Sequence, residues 1–427
     1  MLSKKKPGAW AALGVAAAIV AAYAYAQQPD TGASAAPAAQ AADTTMIERG
    51  ARLAAVGDCM ACHTAKGGEP YAGGLPIHTP FGTIYSTNIT PDAETGIGKW
   101  SLEDFKRAMR EGVSRDGHKL YPAFPYPRFT KTTDEDIAAL YAYMMARTPV
   151  KQAAPENDLM FPLNFRPLMT AWNLLFLDEG ELPPPDTPQS DEWLRGRYLV
   201  EGLGHCASCH TPMNMFGAEK SSAAYAGSVI DGWTAPALTE LGQAPKPWTA
   251  EQLVSYLRTG LATEHGAAAG PMLPVTQNLA DADPADVQAM ATYLLSLQKP
   301  AANQPAAAAP ANADTASITR GAALFAASCA GCHSASAPMS EIGQRPLLAL
   351  GSSVNGSSAR NAINMVLWGN SWQGSSSAHY MPPFSAVLTD DQVADVLAYV
   401  RQEYAKKPAW QDLPGMVANV RKEAQPQ

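Results

Sequence analysis

Three copies of one short string constrain this chain more than anything else in it: CMACH at 59–63, CASCH at 206–210 and CAGCH at 329–333. Together they use all 6 cysteines of the 427-residue chain. Disulfides are the ordinary use of cysteine in an exported chain, but here no cysteine stands outside a C-x-x-C-H string. That string is the attachment pattern of c-type haem. The two thiols bond to the porphyrin vinyl groups, and the adjacent His turns its ring onto the iron. A redox pair or half a zinc site explains one copy; three copies, each ending in His, argue against both. The string therefore assigns Cys59, Cys62, Cys206, Cys209, Cys329 and Cys332 to covalent haem attachment. It assigns His63, His210 and His333 to the iron, and gives three haem c groups in all.

The repeat is larger than the string. Before each cysteine pair comes a helix-like segment with an Arg-Gly step: IERGARLAAVGDC, WLRGRYLVEGLGHC and ITRGAALFAASC, with Gly50, Gly196 and Gly321. After each comes a run opened by Thr or Asp, good N-caps, with an aromatic inside: TDEDIAALYAYM, ADPADVQAMATYL and TDDQVADVLAYV, with Tyr143, Tyr293 and Tyr399. A glycine in one helix lets another helix cross it at close range. Between the two lies a third helix ending in Gly112, Gly260 or Gly369.

That last glycine works as a ruler for the second iron ligand, which in electron carriers is commonly Met. Twelve residues on from each stand Phe124, Met272 and Met381. Met272 in GPMLP and Met381 in YMPPF, in loops stiffened by proline, are the expected axial ligands. Phe124, in YPAFPY, cannot ligate iron. The first haem is then five-coordinate, or takes His118 or Met109, or receives a Met from outside its module. Of the outside candidates Met169, in the apolar run FPLNFRPLMTAWNLLF, is favoured over Met160. Met109 has the spacing of a core residue, and His118 lies in a polar turn.

The start, MLSKKKPGAWAALGVAAAIVAAYAYAQQ, has a basic head, an apolar run and a small-x-small end at Ala24–Ala26. It reads as a signal peptide over residues 1–26; an uncleaved anchor is the alternative, since the run is long enough to span a bilayer. Either places the body on the periplasmic side of the cell membrane. The net charge of −8 includes the three lysines of this segment, so the remainder is more acidic still. That argues against nucleic acid and against a purely electrostatic hold on anionic lipid. Residues 27–45 are low-complexity and expected to be disordered, and 299–316 form a Pro/Ala linker that would leave the third module free to move. The apolar 151–189 segment and the 406–427 tail, with Trp410, read as docking elements, on the modules themselves, on a partner or at a membrane. Trp100 and Trp248 read as packing residues beside haem. His78, His205, His265 and His379 lack ligand spacing and read as surface or turn positions.

The repeated pattern resembles class I cytochrome c, in which the N- and C-terminal helices cross beside the haem. This implies a mainly α fold of three tandem class I cytochrome c domains, at 46–150, 190–298 and 317–405. The runs PFGTIYSTNITPDAETGIGKW, AMREGVSRDGHKLYPAFPY and LYAYM, with GHCASCHTP and the later GPM, resemble more narrowly the triple-haem cytochrome c subunit of bacterial membrane-bound dehydrogenases. That family commonly reads Tyr-Pro-Ala-Met-Pro-Tyr in the first module, so Phe124 departs from it. The Phe form, with RPLM beyond, looks more like the branch that accompanies molybdenum-cofactor aldehyde or N-heterocycle dehydrogenases. The resemblance implies an electron relay. A separate catalytic subunit using molybdopterin, PQQ or flavin would supply electrons, and membrane ubiquinone would receive them. No dinucleotide fingerprint and no catalytic triad is legible in the chain. A free-standing periplasmic shuttle, and a haem enzyme reacting at a five-coordinate first haem, are the rival readings.

Overall fold

The computed structural model describes residues 43–299, 314–334, 337, 345–370 and 380–423. The proposed signal peptide, most of the two low-complexity segments and His379 lie outside these residues. Helices of eight or more residues are numbered in chain order.

The first module runs through α1 (Thr44–Val56), α2 (Leu102–Glu111) and α3 (Asp134–Met145). Residues 44 and 45, expected in the disordered leader, already belong to α1, because Asp43 accepts a hydrogen bond from the Thr45 amide and starts the helix. An antiparallel hairpin, β1 (Pro76–Thr79) and β2 (Gly82–Tyr85), lies between α1 and α2. Next comes α4 (Leu168–Phe176). The second module holds α5 (Asp191–Tyr198), α6 (Ala250–Thr259), α7 (Met272–Leu279) and α8 (Pro284–Ser296). The third holds α9 (Thr315–Ser328), α10 (Arg360–Trp368) and α11 (Asp390–Glu403), and the tail forms α12 (Leu413–Glu423). The fold is mainly α, as the repeat implied.

Each module is built on one crossing. A Cβ added at Gly50 would overlap the Ala139 carbonyl; at Gly196, the Ala289 carbonyl; at Gly321, the Asp395 carbonyl. Backbone meets backbone there, with Tyr143, Tyr293 or Tyr399 beside the contact. The arginine of each Arg-Gly step also has a partner on the crossing helix. Arg49 meets Asp136 at 2.5 Å, Arg195 meets Asp286 at 2.7 Å and Arg320 meets Asp395 at 2.7 Å. The caps expected from sequence form: Thr133, Asp283 and Thr389 each accept a backbone N–H at the start of α3, α8 and α11, each worth about 1 kcal/mol. Gly112 and Gly260 end α2 and α6 with φ of 61° and 71°, the left-handed geometry that glycine adopts without a Cβ penalty.

Modules 1 and 2 share one hydrophobic core, in which Leu53, Leu140 and Met144 of the first pack with Leu199, Leu203 and Met290 of the second. The 151–189 segment docks on both. Its strand β3 (Asp158–Leu159) adds to β2. On α4, Asn173 donates to the Glu111 carbonyl at 3.1 Å and accepts from the Tyr126 hydroxyl at 2.5 Å, while Trp172 donates to the Phe216 carbonyl at 2.9 Å.

The third module has its own core but is not left free by its linker. The Asn361 side chain exchanges two 2.8 Å hydrogen bonds with the Thr234 backbone, Asn370 donates to the Ala268 carbonyl at 3.0 Å, and the Ser352 amide donates to the His265 carbonyl at 2.7 Å. The composition of the linker said nothing of these contacts, which lie on the module faces. The tail docks in cis: Leu413, Val417 and Val420 of α12 join the module 3 core, and Arg421 meets Asp390 at 2.7 Å.

Candidate functional site

The residues of each C-x-x-C-H string form a single helical turn: Cys59–Cys62, Ala207–His210 and Ala330–His333. Three-residue spacing on a helix puts the two cysteines of a pair on one face. In each case the His amide donates to the carbonyl of the first cysteine at 3.0 Å. The thiols are unbridged. Burial, with the Asp58 charge adding, pushes Cys59 and Cys62 up to about 12; burial alone dominates at Cys206, about 11, and Cys209, about 12. Neutral thiols suit thioether formation with a bound group better than thiolate metal ligation.

The histidines carry the test of fit. His63 Nδ1 lies 2.6 Å from the Thr87 carbonyl and His210 Nδ1 lies 2.7 Å from the Pro236 carbonyl. A carbonyl only accepts, so Nδ1 carries the proton and Nε2 keeps its lone pair for a metal. Burial holds both rings below the usual imidazole value, the carbonyl contact opposing it. His333 Nδ1 is buried with no hydrogen-bond partner among the described residues, and burial lowers its pKa too. Two thiols and one neutral imidazole per turn are the donor set that a haem c requires.

The residues expected from the sequence as second iron ligands are placed as follows. Met272 opens α7 and packs half-buried against the shared core. Met381 pairs with Asn370 through two 2.9 Å backbone hydrogen bonds, beside the Gly369 that ends α10. Phe124 packs on Phe129, ring centroids 5.2 Å apart, within the core of modules 1 and 2. Of the substitutes, Met109 is a core residue, His118 is exposed and pairs with Asp116 at 2.5 Å, and Met160 is 54% exposed. Met169 is buried with Tyr121 and Leu159 beside Phe81 and Ile84. It lies on the helix that docks against the 111–126 loop, where Arg166 also donates to the Lys119 carbonyl at 3.0 Å.

Trp100 and Trp248 pack against the shared core. Of the histidines read as surface or turn positions, His265 is buried and His205 half-buried. His205 reaches the Gly57 carbonyl at 3.3 Å and stands edge-on to Phe129. His265 stacks on Trp248 with centroids 3.8 Å apart and bonds Gln252 at 2.9 Å. A lone His in a turn carries no sequence signal of burial; only the neighbouring module or helix supplies it.

The two haem strings of modules 1 and 2 face each other through matched elements. Asp58 and His205, each the residue before a first cysteine, both adopt a left-handed backbone, φ 51° and 37°. Each reaches into the other module: Asp58 accepts from the Asn278 amide on α7, and His205 meets Gly57 and Phe129.

Comparison with known proteins agrees. The cytochrome c family model matches residues 47–148, 195–298 and 318–403. The chain is 37% identical over 400 residues to the fructose dehydrogenase cytochrome subunit of Gluconobacter japonicus, covering 87% of this chain and 82% of that one. It is 39% identical over 390 residues to the gluconate 2-dehydrogenase cytochrome c subunit of Pantoea cypripedii, covering 84% and 86%. It is 50% identical over 378 residues to a nicotinate dehydrogenase subunit of Pseudomonas putida, covering 88% of this chain but only 32% of that longer protein. With three family matches, three complete attachment sites and likeness to such subunits over most of both chains, the chain belongs to the cytochrome c family, among the triple-haem cytochrome subunits of bacterial dehydrogenases.

Proposed function

We propose that the chain relays electrons from a separate dehydrogenase subunit, through three haem c groups, to membrane ubiquinone on the periplasmic side of the cell membrane. The observation that carries this reading is the continuity of the three sites: modules 1 and 2 share a core with their cysteine turns facing each other, and module 3 is hydrogen-bonded to module 2. The chain's own residues would hold each group covalently, orient the His63 and His210 imidazoles through backbone carbonyls, and tune iron potential through the distal ligand. Met272 and Met381 take that distal place at the second and third haems, and Met169 at the first. The 50% identity to a nicotinate dehydrogenase subunit favours a molybdopterin-type catalytic partner over PQQ or flavin, and an N-heterocyclic or aldehyde substrate.

Membrane attachment falls to the docked segment. No helix among the described residues is long and apolar enough to cross a membrane. But α4, LMTAWNLLF, carries no charge, and its outer face leaves Leu174 86% and Leu175 71% exposed. Phe216, joined to α4 through Phe176 at 5.9 Å, and Met215 extend that face. A surface helix apolar on both sides needs a second apolar neighbour.

Gentle detergent purification of the tagged protein from native membranes tests the relay. A co-purifying catalytic subunit that reduces all three haems when given substrate supports it. A lone three-haem protein, soluble without detergent, overturns it.

A further inference from the structure

The seam between the first two haem turns holds a carboxyl with no counter-charge. Asp58 is 9% exposed, and among the described residues it makes no ion pair. Its one side-chain partner is the Asn278 amide, from the helix that Met272 begins in the other module. Its charge is felt at Cys59 and Cys62 on its own side and at Cys209 across the seam. A buried carboxylate without a cation is costly and persists where something else offsets it. A ferric haem c core carries one more positive charge than a ferrous one, and two such groups attach at these cysteines.

We propose that the Asp58 carboxyl is a charge shared by the first two haem sites, lowering the reduction potential of both while ionised and taking up a proton when they are reduced. This rests on the relay reading above. In the coupled step one electron from the donor reduces a ferric site, and one proton from solvent passes to the carboxylate, forming its O–H bond. No other bond changes.

Burial raises the proton affinity of two carboxyls at the seam, Asp58 and Asp231, and Asp58 is the one hydrogen-bonded across it to α7. The thiols of Cys59, Cys62 and Cys209 become uncharged thioethers on attachment. Burial lowers the pKa of His205, facing from module 2, and near it Arg128 is paired with Glu219. Asp231, across the seam, is raised by burial while His78 opposes that shift. Burial pushes Asp58 itself up to about 6, with the Asn278 hydrogen bond opposing, so both protonation states are accessible near neutral pH.

Spectroelectrochemical titration of the full-length three-haem protein between about pH 5 and 8 tests this. Pyridine haemochromogen analysis first establishes that three haems are attached; fewer in the unaltered protein would fault the relay reading rather than this one. In Asp58→Asn, two of the three redox waves should move to higher potential and lose their pH slope, while the third stays. Unchanged waves, or an equal shift of all three, would overturn the proposal. If Asp58→Asn fails to load haem, Asn278→Leu keeps the carboxyl and removes its donor. The pH-dependent region of the same two waves should then move to higher pH, and an unmoved region would overturn the proposal equally.

Discussion

Asp136 of the first module and Arg195 of the second stand 3.6 Å apart, and the same carboxylate meets Arg49 at 2.5 Å and accepts from the Tyr198 hydroxyl at 2.8 Å. One buried acid thus holds the helix crossing of its own module and the seam to the next. Asp136→Ala should destabilise the protein by about 2 kcal/mol, less than a fully buried pair because both arginines can turn to solvent. Denaturant unfolding measures it. Arg52→Ala, whose pair with Asp283 is exposed on both sides, should change stability by less than about 0.5 kcal/mol.

Gly196→Ala pushes a methyl group into the Ala289 backbone carbonyl. Backbone cannot swing aside as a side chain can, so α5 and α8 must part. The expected cost is about 2–3 kcal/mol, with loss of haem from the second site, read by unfolding and by haem content.

Met272→Ala and Met381→Ala should each leave one haem without its distal sulfur. Each variant should gain one CO-binding haem and show one wave at lower potential. Met169→Ala should do the same for the first haem alone. An unchanged first haem in that variant would remove Met169 from the iron and leave a five-coordinate site or ligation by His118, Met109 or Met160.

Leu174→Ser with Leu175→Ser should shift the protein from the membrane fraction to the soluble fraction without changing its haem spectrum, since neither side chain joins the packed core. Co-sedimentation with lipid vesicles measures it.

Burial holds His205 and His265 below the ordinary value of 6.5. The unfolded chain therefore binds protons at these sites in a range where the folded chain does not, and stability falls as pH drops below about 6.5. Above that value their contribution is flat. His265→Phe keeps a ring against Trp248 but has no proton to take up, so its acid loss should be smaller. Unfolding curves at several pH values between about 5 and 8 compare the two.

Whatever is local and repeated could be read along the chain before any folding. Three C-x-x-C-H strings name the haem group because its chemistry needs two thiols and an imidazole on one turn. Gly50, Gly196 and Gly321 mark the crossings because only glycine admits backbone to backbone. Whatever depends on residues far apart emerged only on packing. Asp58 and Asn278 lie 220 positions apart, and nothing in either neighbourhood announces the other. The roles of Arg49, Arg195 and Arg320 beside those glycines, the burial of His205 and His265, and the docking of module 3 on Thr234 and Ala268 share that reason. Periodicity and spacing record which face of an element is apolar. Which polar group will meet it across a seam is set only when whole modules pack.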